Sequence, residues 1–170
     1  MKKLRLILWE ECNRNCPGCC NNDWNLRSLD VETDYSGYDM ILLTGGEPMM
    51  DPLRVHVAIN EIRKQSPTAK IIMYTAYVSD FKAVISLLAH LDGLTVTLHD
   101  PDDGYAFLDF DKALYDVRNL IVRKSLRLNV FEGVGLYRQP KTYWEVKAGM
   151  IWIKNCPLPT GEVLKRWRPA

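Results

Sequence analysis

Short apolar runs alternate with longer amphipathic runs along the whole chain. The apolar runs are five or six residues long and rich in β-branched and aromatic side chains, which is typical of buried parallel strands rather than helices. Six such runs predict six strands, at residues 4–9, 39–44, 70–75, 95–99, 126–131 and 150–154.

Helix signals fill most of the stretches between these runs. Asp51 followed by Pro52 predicts the start of a helix that ends near Ser66, because an acidic N-cap and a proline in the first turn favour helix initiation. Ser79 predicts the cap of a second helix, and a third is expected over about 109–123. Two weaker helical patterns cover residues 143–147 and 161–167.

Strands separated by helices of this length predict βα units and a parallel sheet within one domain, residues 1–170. Six strands are too few for a closed eight-stranded barrel, so a partly open barrel and a doubly wound sheet are the two alternatives. Residues 10–38 break the pattern. They are rich in Cys, Asn and Asp with no sustained apolar period, and long loops of this kind are usually functional.

Composition and charge narrow the function further. Hydrophobic residues make up 47% of the chain and charged residues 25%, as in ordinary globular proteins. The formal net charge of +1 argues against a dedicated nucleic-acid or anionic-membrane binder. No apolar run approaches the roughly 18 residues of a membrane helix, and the basic N-terminus precedes too short an apolar stretch for a signal peptide. We therefore expect a cytoplasmic protein without nucleic-acid or membrane partners.

The five cysteines are unevenly distributed, since four lie within nine residues and Cys156 stands alone. An odd number without a secretion signal is a poor basis for a disulfide framework. Clustered thiols in a reducing compartment indicate a metal or redox site instead. We expect Cys20 to be a packed or bystander thiol, and Cys156 to be a bystander or, less favoured, a substrate-side thiol.

The sequence Cys12-Asn13-Arg14-Asn15-Cys16-Pro17-Gly18-Cys19 carries the chemistry. Three thiolates spaced in this way can hold a four-iron cluster and leave one iron open to an outside ligand. The alternatives are a structural zinc site and a closed electron-transfer cluster. Both need a fourth ligand, which among the thiols only Cys20 or Cys156 could supply.

The Cys-x3-Cys-x2-Cys spacing, directly after the first predicted strand, resembles the signature of the radical S-adenosylmethionine (SAM) superfamily. The resemblance implies a partial (β/α)6 barrel of six mostly parallel strands, with the site at their C-terminal ends. It also implies that Cys12, Cys16 and Cys19 ligate a [4Fe–4S] cluster whose fourth iron binds SAM. Such an oxidoreductase cleaves SAM reductively to a 5′-deoxyadenosyl radical, which abstracts hydrogen, and it takes electrons from a flavodoxin or ferredoxin type of donor.

A second element agrees with this resemblance. Gly45, Gly46 and Glu47 follow the second predicted strand and match the family's Gly-Gly-Glu element, which binds the methionine amino group of SAM. Glycines allow close approach of a ligand to the backbone, and a carboxylate suits an ammonium partner. Taken alone, the same residues are more typical of a strand-to-helix turn.

Within the superfamily, several residues are similar to small activating enzymes that install a glycyl radical, especially for anaerobic ribonucleotide reductase. These are Cys-Pro-Gly-Cys at 16–19, Asn21, Trp24 and Met-Tyr-Thr-Ala-Tyr at 73–77. This similarity implies a glycyl-radical protein as partner. The chain departs from those enzymes at Glu11, where they carry glycine. Radical SAM enzymes that act on a small molecule or a peptide, such as deazaguanine synthases, therefore stay open.

Polar residues at the ends of later strands complete the candidate site. We predict that Thr75, Thr97, His99 and Asn129 contribute to cofactor binding, because Thr97 and His99 share one face of the fourth strand and Asn129 lies on the fifth. For His99, hydrogen bonding to nearby backbone at a strand end is an equal alternative.

Overall fold

The protein is an α/β fold built on one all-parallel sheet, described here for residues 1–168 of a computed structural model. Seven strands lie in the order β6-β5-β4-β3-β2-β1-β7, and the sheet is not closed. The strands are β1 Lys3–Ile7, β2 Met40–Thr44, β3 Lys70–Thr75, β4 Gly93–Leu98, β5 Ser125–Phe131, β6 Glu145–Met150 and β7 Glu162–Arg166.

Four α-helices connect or flank the strands: α1 Cys20–Asp23, α2 Pro52–Gln65, α3 Phe81–Leu88 and α4 Pro101–Asp116. Single 3-10 turns cover Leu26–Ser28, Pro48–Met50 and Arg118–Leu120. The carboxylates of Asp51 and Asp80 cap α2 and α3, where they accept the backbone N–H groups of Arg54 and Ala83. Within residues 1–168, no helix combines the length and the apolar character needed to span a bilayer.

The order of β1 to β5 explains where the core lies. Each crossover moves one strand further in the same direction, and right-handed crossovers then place α2, α3 and α4 on the same face of the sheet. Residues such as Leu4 and Leu6 on that face are fully buried against the helices. Because side chains alternate along a strand, intervening residues such as Arg5 and Tyr74 lie on the opposite face.

The first five predicted strands are confirmed to within two residues at each end, as is the helix that begins after Asp51. The third helix was predicted too far towards the C-terminus. It was expected over about 109–123, but α4 begins at Pro101, directly after Asp100, and ends at Asp116. The parallel α/β class is therefore correct.

The C-terminal predictions were wrong. The sixth strand was expected at 150–154, but β6 occupies Glu145–Met150, where a short helix was expected. A terminal helical turn was expected over 161–167, but those residues form β7, which pairs with β1 in parallel. The sheet therefore has seven strands rather than six. Both strands lie at the edges of the sheet, where backbone pairing holds segments that have little apolar pattern.

Candidate cofactor site at the carboxyl ends of the strands

The carboxyl ends of the parallel strands surround a cavity of about 300 Å³. Parallel strands all point their carboxyl ends to one edge of the sheet, so residues that follow different strands meet there. The structure brings all ten predicted site residues to the lining of this cavity: Cys12, Cys16, Cys19, Gly45, Gly46, Glu47, Thr75, Thr97, His99 and Asn129.

The cysteine loop supplies three free thiols to this cavity. Cys12 is exposed, whereas Cys16 and Cys19 are partly buried, and the N–H of Cys19 donates to the carbonyl of Cys16 at 3.2 Å. Burial raises the pKa of Cys12 and of Cys16, and the neighbouring cysteines raise it further. Cys12 and Cys16 are therefore protonated at neutral pH, and binding of a metal group would release their protons.

The spacing of the possible metal ligands bears on which kind of metal group the site could hold. Among residues 1–168, no three His, Cys, Asp or Glu side chains are grouped closely enough to hold one metal ion. A four-iron cluster is larger than one ion and takes one thiolate on each iron, so its ligands are more widely spaced. A cluster held by the three thiols of this one loop therefore stays a prediction.

The backbone of the glycine turn after β2 is hydrogen-bonded directly to the backbone that leads into the cysteine loop. The N–H of Gly46 donates to the carbonyl of Trp9 at 2.7 Å, and the N–H of Glu47 donates to the carbonyl of Glu11 at 2.9 Å. A Cβ added at Gly46 would overlap the Glu11 carbonyl group. Gly45 has φ +122°, a conformation that favours glycine. Both glycines are therefore required for this close approach.

The carboxylate of Glu47 ties the ends of β2 and β3 together. It is only 3% exposed and accepts the N–H of Met49, the N–H of Ala76 and the hydroxyl of Thr75 at 2.9, 2.8 and 2.5 Å. Burial raises its pKa, although these three hydrogen bonds oppose the rise. Donors of the surrounding turns thus occupy the carboxylate, and its direct contact with a ligand ammonium stays a prediction.

Thr97 and Asn129 are neighbours on adjacent strands. They are paired in the register of β4 with β5, and the Asn129 amide donates to the Thr97 hydroxyl at 3.5 Å. Deeper on the same face, the guanidinium of Arg5 pairs with the carboxylate of Glu162 on β7 at 2.9 Å and lies over the ring of Tyr74. This part of the cavity wall is therefore polar.

An aromatic group lines the cavity beside the cysteine loop. The rings of His99 and Trp152 are stacked, with centroids 5.1 Å apart and planes within 7°, and Phe131 lies 4.3 Å from Trp152. Burial lowers the pKa of His99, as does the nearby Arg14, so the imidazole is neutral at pH 7. Its buried Nδ1 has no partner within residues 1–168, so the alternative in which this ring bonds nearby backbone is not supported for that atom.

The predictions for the other two cysteines were wrong, because Cys20 and Cys156 form a disulfide with a Cα–Cα distance of 5.3 Å. The indole N–H of Trp24 also donates to the carbonyl of Cys156 at 3.0 Å. The two cysteines are 136 residues apart, and the chain that leads from β6 to β7 brings Cys156 back to the site. The bond between the two cysteines was not predicted, although the less favoured interpretation of Cys156 as a substrate-side thiol had placed it near the site.

Sequence reasoning also missed Arg14, Asp103 and Trp152. Arg14 lies inside the cysteine loop and forms an ion pair with Asp103, in the first turn of α4, while Trp152 lies against Gly18. The available signals for the ion pair were a charged residue between the clustered cysteines and an acidic residue in the turn after a strand. The role of Trp152 was hidden because residues 150–154 were predicted to be a strand.

No protein-family model matches the chain, and none of the curated proteins compared with it is similar enough to serve as a relative. A functional assignment therefore depends on the residues and geometry of the site.

Proposed function

We propose that this protein is a radical SAM enzyme. Cys12, Cys16 and Cys19 would ligate a [4Fe–4S] cluster, and the turn formed by Gly45 and Gly46 would receive SAM. One observation carries the proposal: the three free thiols of one loop and the glycine turn line the same cavity at the carboxyl ends of parallel strands.

The disulfide favours this assignment over a closed electron-transfer cluster or a zinc site. All five cysteines lie within the described residues, and Cys20 and Cys156 are bonded to each other. In this form neither can serve as a fourth thiolate. A cluster held by the remaining three thiols keeps one iron free for an outside ligand, which is the property that separates a catalytic site from a structural one.

When bound, the cluster supplies the electron for reductive cleavage of SAM to a 5′-deoxyadenosyl radical, which abstracts a hydrogen atom from the substrate. The chain's own residues bind, orient and exclude water. The lack of side chains at Gly45 and Gly46 leaves room beside the backbone, and the flat rings of His99 and Trp152 suit contact with a nucleobase.

The fold supports the partial-barrel interpretation. The helices α2, α3 and α4 pack on one face of the sheet, and the candidate site residues lie at the carboxyl ends of the strands. This arrangement is that of an open barrel segment rather than of a doubly wound sheet, in which helices cover both faces. In this interpretation β7 extends the barrel wall beyond β1 as a seventh strand.

The dimensions of the cavity favour a macromolecular substrate. A volume of about 300 Å³ lies at the lower end of the range for small-molecule sites, and SAM would fill most of it. The reacting group would then reach the site from outside, on a projecting segment. We therefore favour activation of a glycyl-radical protein over modification of a free small molecule, with an electron donor of the flavodoxin or ferredoxin type.

Anaerobic reconstitution with iron and sulfide tests the assignment. The wild-type protein should bind about four irons per chain, and addition of SAM should change the EPR signal of the reduced cluster. Alanine at Cys12, Cys16 or Cys19 should remove both. The double variant Cys20→Ser/Cys156→Ser should keep both, and loss of its cluster would show that a fourth thiol is a ligand and would contradict an open site.

A further inference from the structure

Arg14 is the charged residue of the cysteine loop, and its side chain is only 17% exposed. Both of its terminal nitrogens bond to Asp103, with Nη1–Oδ2 at 2.9 Å and Nη2–Oδ1 at 2.5 Å. Nη1 also donates to a carboxylate oxygen of Asp100 at 3.3 Å, and Nη2 donates to the carbonyl oxygen of Ala76 at 3.0 Å. One guanidinium thus joins the cysteine loop to the ends of β3 and β4.

Asp103 is itself held in place. Its Oδ2 accepts the backbone N–H of His99 at 2.7 Å and that of Asp100 at 3.0 Å, so the carboxylate is fixed between the end of β4 and the first turn of α4. The bidentate pair with Arg14 adds two charge-assisted bonds in a defined plane. Asp103 therefore presents a rigid acceptor to the loop.

Ala76 extends this connection to the glycine turn. Its carbonyl accepts from Arg14, and its N–H donates to Oε2 of Glu47 at 2.8 Å. The residue that leaves β3 therefore links the guanidinium on one side to the Glu47 carboxylate on the other. A continuous set of hydrogen bonds runs from the cysteine loop through β3 to the turn proposed to receive SAM.

We propose that Arg14, held by Asp103, positions the cysteine loop relative to the Gly45–Glu47 turn. This inference rests on the proposed function, because the turn matters as the place that would receive SAM. The placement of the loop itself can be measured without a cofactor. Lysine cannot replace Arg14, because one ammonium cannot reproduce the planar two-nitrogen contact with Asp103 while also reaching Ala76. Arg14 is thus a positioning residue, which acts on the thiols through the backbone of their loop.

Hydrogen exchange in the cofactor-free protein tests the placement directly. In Arg14→Lys and Arg14→Met, amides of residues 10–19 should exchange about 10- to 100-fold faster than in the wild type, because bonds to charged groups are lost. Arg63→Lys is the matched control. Arg63 pairs with Asp92 at 2.5 Å and also donates to the carbonyl of Ala69, but it lies away from the cysteine loop. Its replacement should leave exchange in 10–19 unchanged.

A charge exchange and a spectroscopic readout separate positioning from general stability. Amides of residues 10–19 should exchange more slowly in Arg14→Asp/Asp103→Arg than in Arg14→Asp alone, whereas Asp103→Asn should lose protection there as the Arg14 variants do. After reconstitution, Arg14→Lys should bind iron but require more SAM than the wild type to produce the EPR change.

Two results would overturn the inference. One is wild-type exchange of residues 10–19 in both Arg14 variants. The other is faster exchange spread over the whole chain together with a lower denaturation midpoint, which would show a purely structural role. If the loop loses protection as expected but no protein, wild type included, binds a cluster or responds to SAM, then the positioning holds and the proposed function fails.

Discussion

Replacing Gly46 with alanine tests the close backbone contact between the glycine turn and the cysteine loop. The new Cβ would overlap the Glu11 carbonyl oxygen and lie 2.5 Å from its carbon and 2.8 Å from the carbonyl carbon of Glu10. All three atoms belong to backbone, so no side chain can rotate away. The loop that leads to Cys12 would have to move off the turn.

The expected loss of stability can be worked out from the contacts that this movement breaks. Two backbone hydrogen bonds join the loop to the turn, from Gly46 to Trp9 and from Glu47 to Glu11. Losing them costs about 1 kcal/mol each, and the overpacking itself costs a further 1–3 kcal/mol. We therefore expect a loss of about 3–5 kcal/mol, or a fall in melting temperature on the order of 6–20 °C for a chain of this size.

Urea denaturation and iron binding after reconstitution measure the effect. Gly135→Ala is the matched control, because a Cβ there meets nothing within 4 Å and should change stability by less than about 0.5 kcal/mol. Gly46→Ala should lose both stability and cluster. If Gly46→Ala matched Gly135→Ala in stability and bound iron normally, the close packing of loop and turn would be wrong.

Three further changes test other parts of the fold. Asp111 is 1% exposed, and its carboxylate accepts two backbone N–H groups, an indole N–H and a hydroxyl from the segment that leads into β6. Asp111→Ala should therefore lower the free energy of unfolding, measured by urea denaturation, by about 3 kcal/mol, and a loss below about 1 kcal/mol would contradict a stabilising role for this carboxylate. Burial opposes ionisation of Asp103, but bonds from Arg14 and backbone outweigh it and hold its pKa below the usual value. The ionised Asp103 therefore stabilises the folded protein fully above about pH 4, and this stabilisation is lost as the pH falls through the folded-state pKa. In Asp103→Asn, the free energy of unfolding should consequently change less with pH in the acid range than in the wild type. The Cys20–Cys156 disulfide should contribute about 5 kcal/mol in non-reducing buffer, and Cys156→Ser should abolish the difference between denaturation with and without dithiothreitol.

Most of the sheet could be predicted because its central strands are buried on both sides. Residues 40–44 and 70–75 are continuous apolar runs, since one face meets helices and the other meets the floor of the cavity. The edge strands were missed for the opposite reason. Glu145–Met150 is exposed at nearly every position, so hydrogen bonds to β5, rather than an apolar pattern, hold it in the sheet.

The same distinction applies to the site. Its ten predicted residues stand in a recognisable spacing or at the ends of predicted strands, and the parallel topology then brings them together. The interactions that hold the site join distant parts of the chain. Arg14 and Asp103 are 89 residues apart, and Cys20 and Cys156 are 136 apart. Local patterns carry no information about such pairs, so these contacts required the structure.

Formation of 5′-deoxyadenosine tests the central proposal most directly. The protein, reconstituted anaerobically with iron and sulfide, is incubated with SAM and dithionite beside Cys16→Ala, and the product is measured by mass spectrometry. The proposal predicts 5′-deoxyadenosine from the wild-type protein and none above background from Cys16→Ala. Equal amounts from both, or none from a wild-type protein that holds a full cluster and binds SAM with its proposed substrate protein present, would contradict radical SAM chemistry at this site.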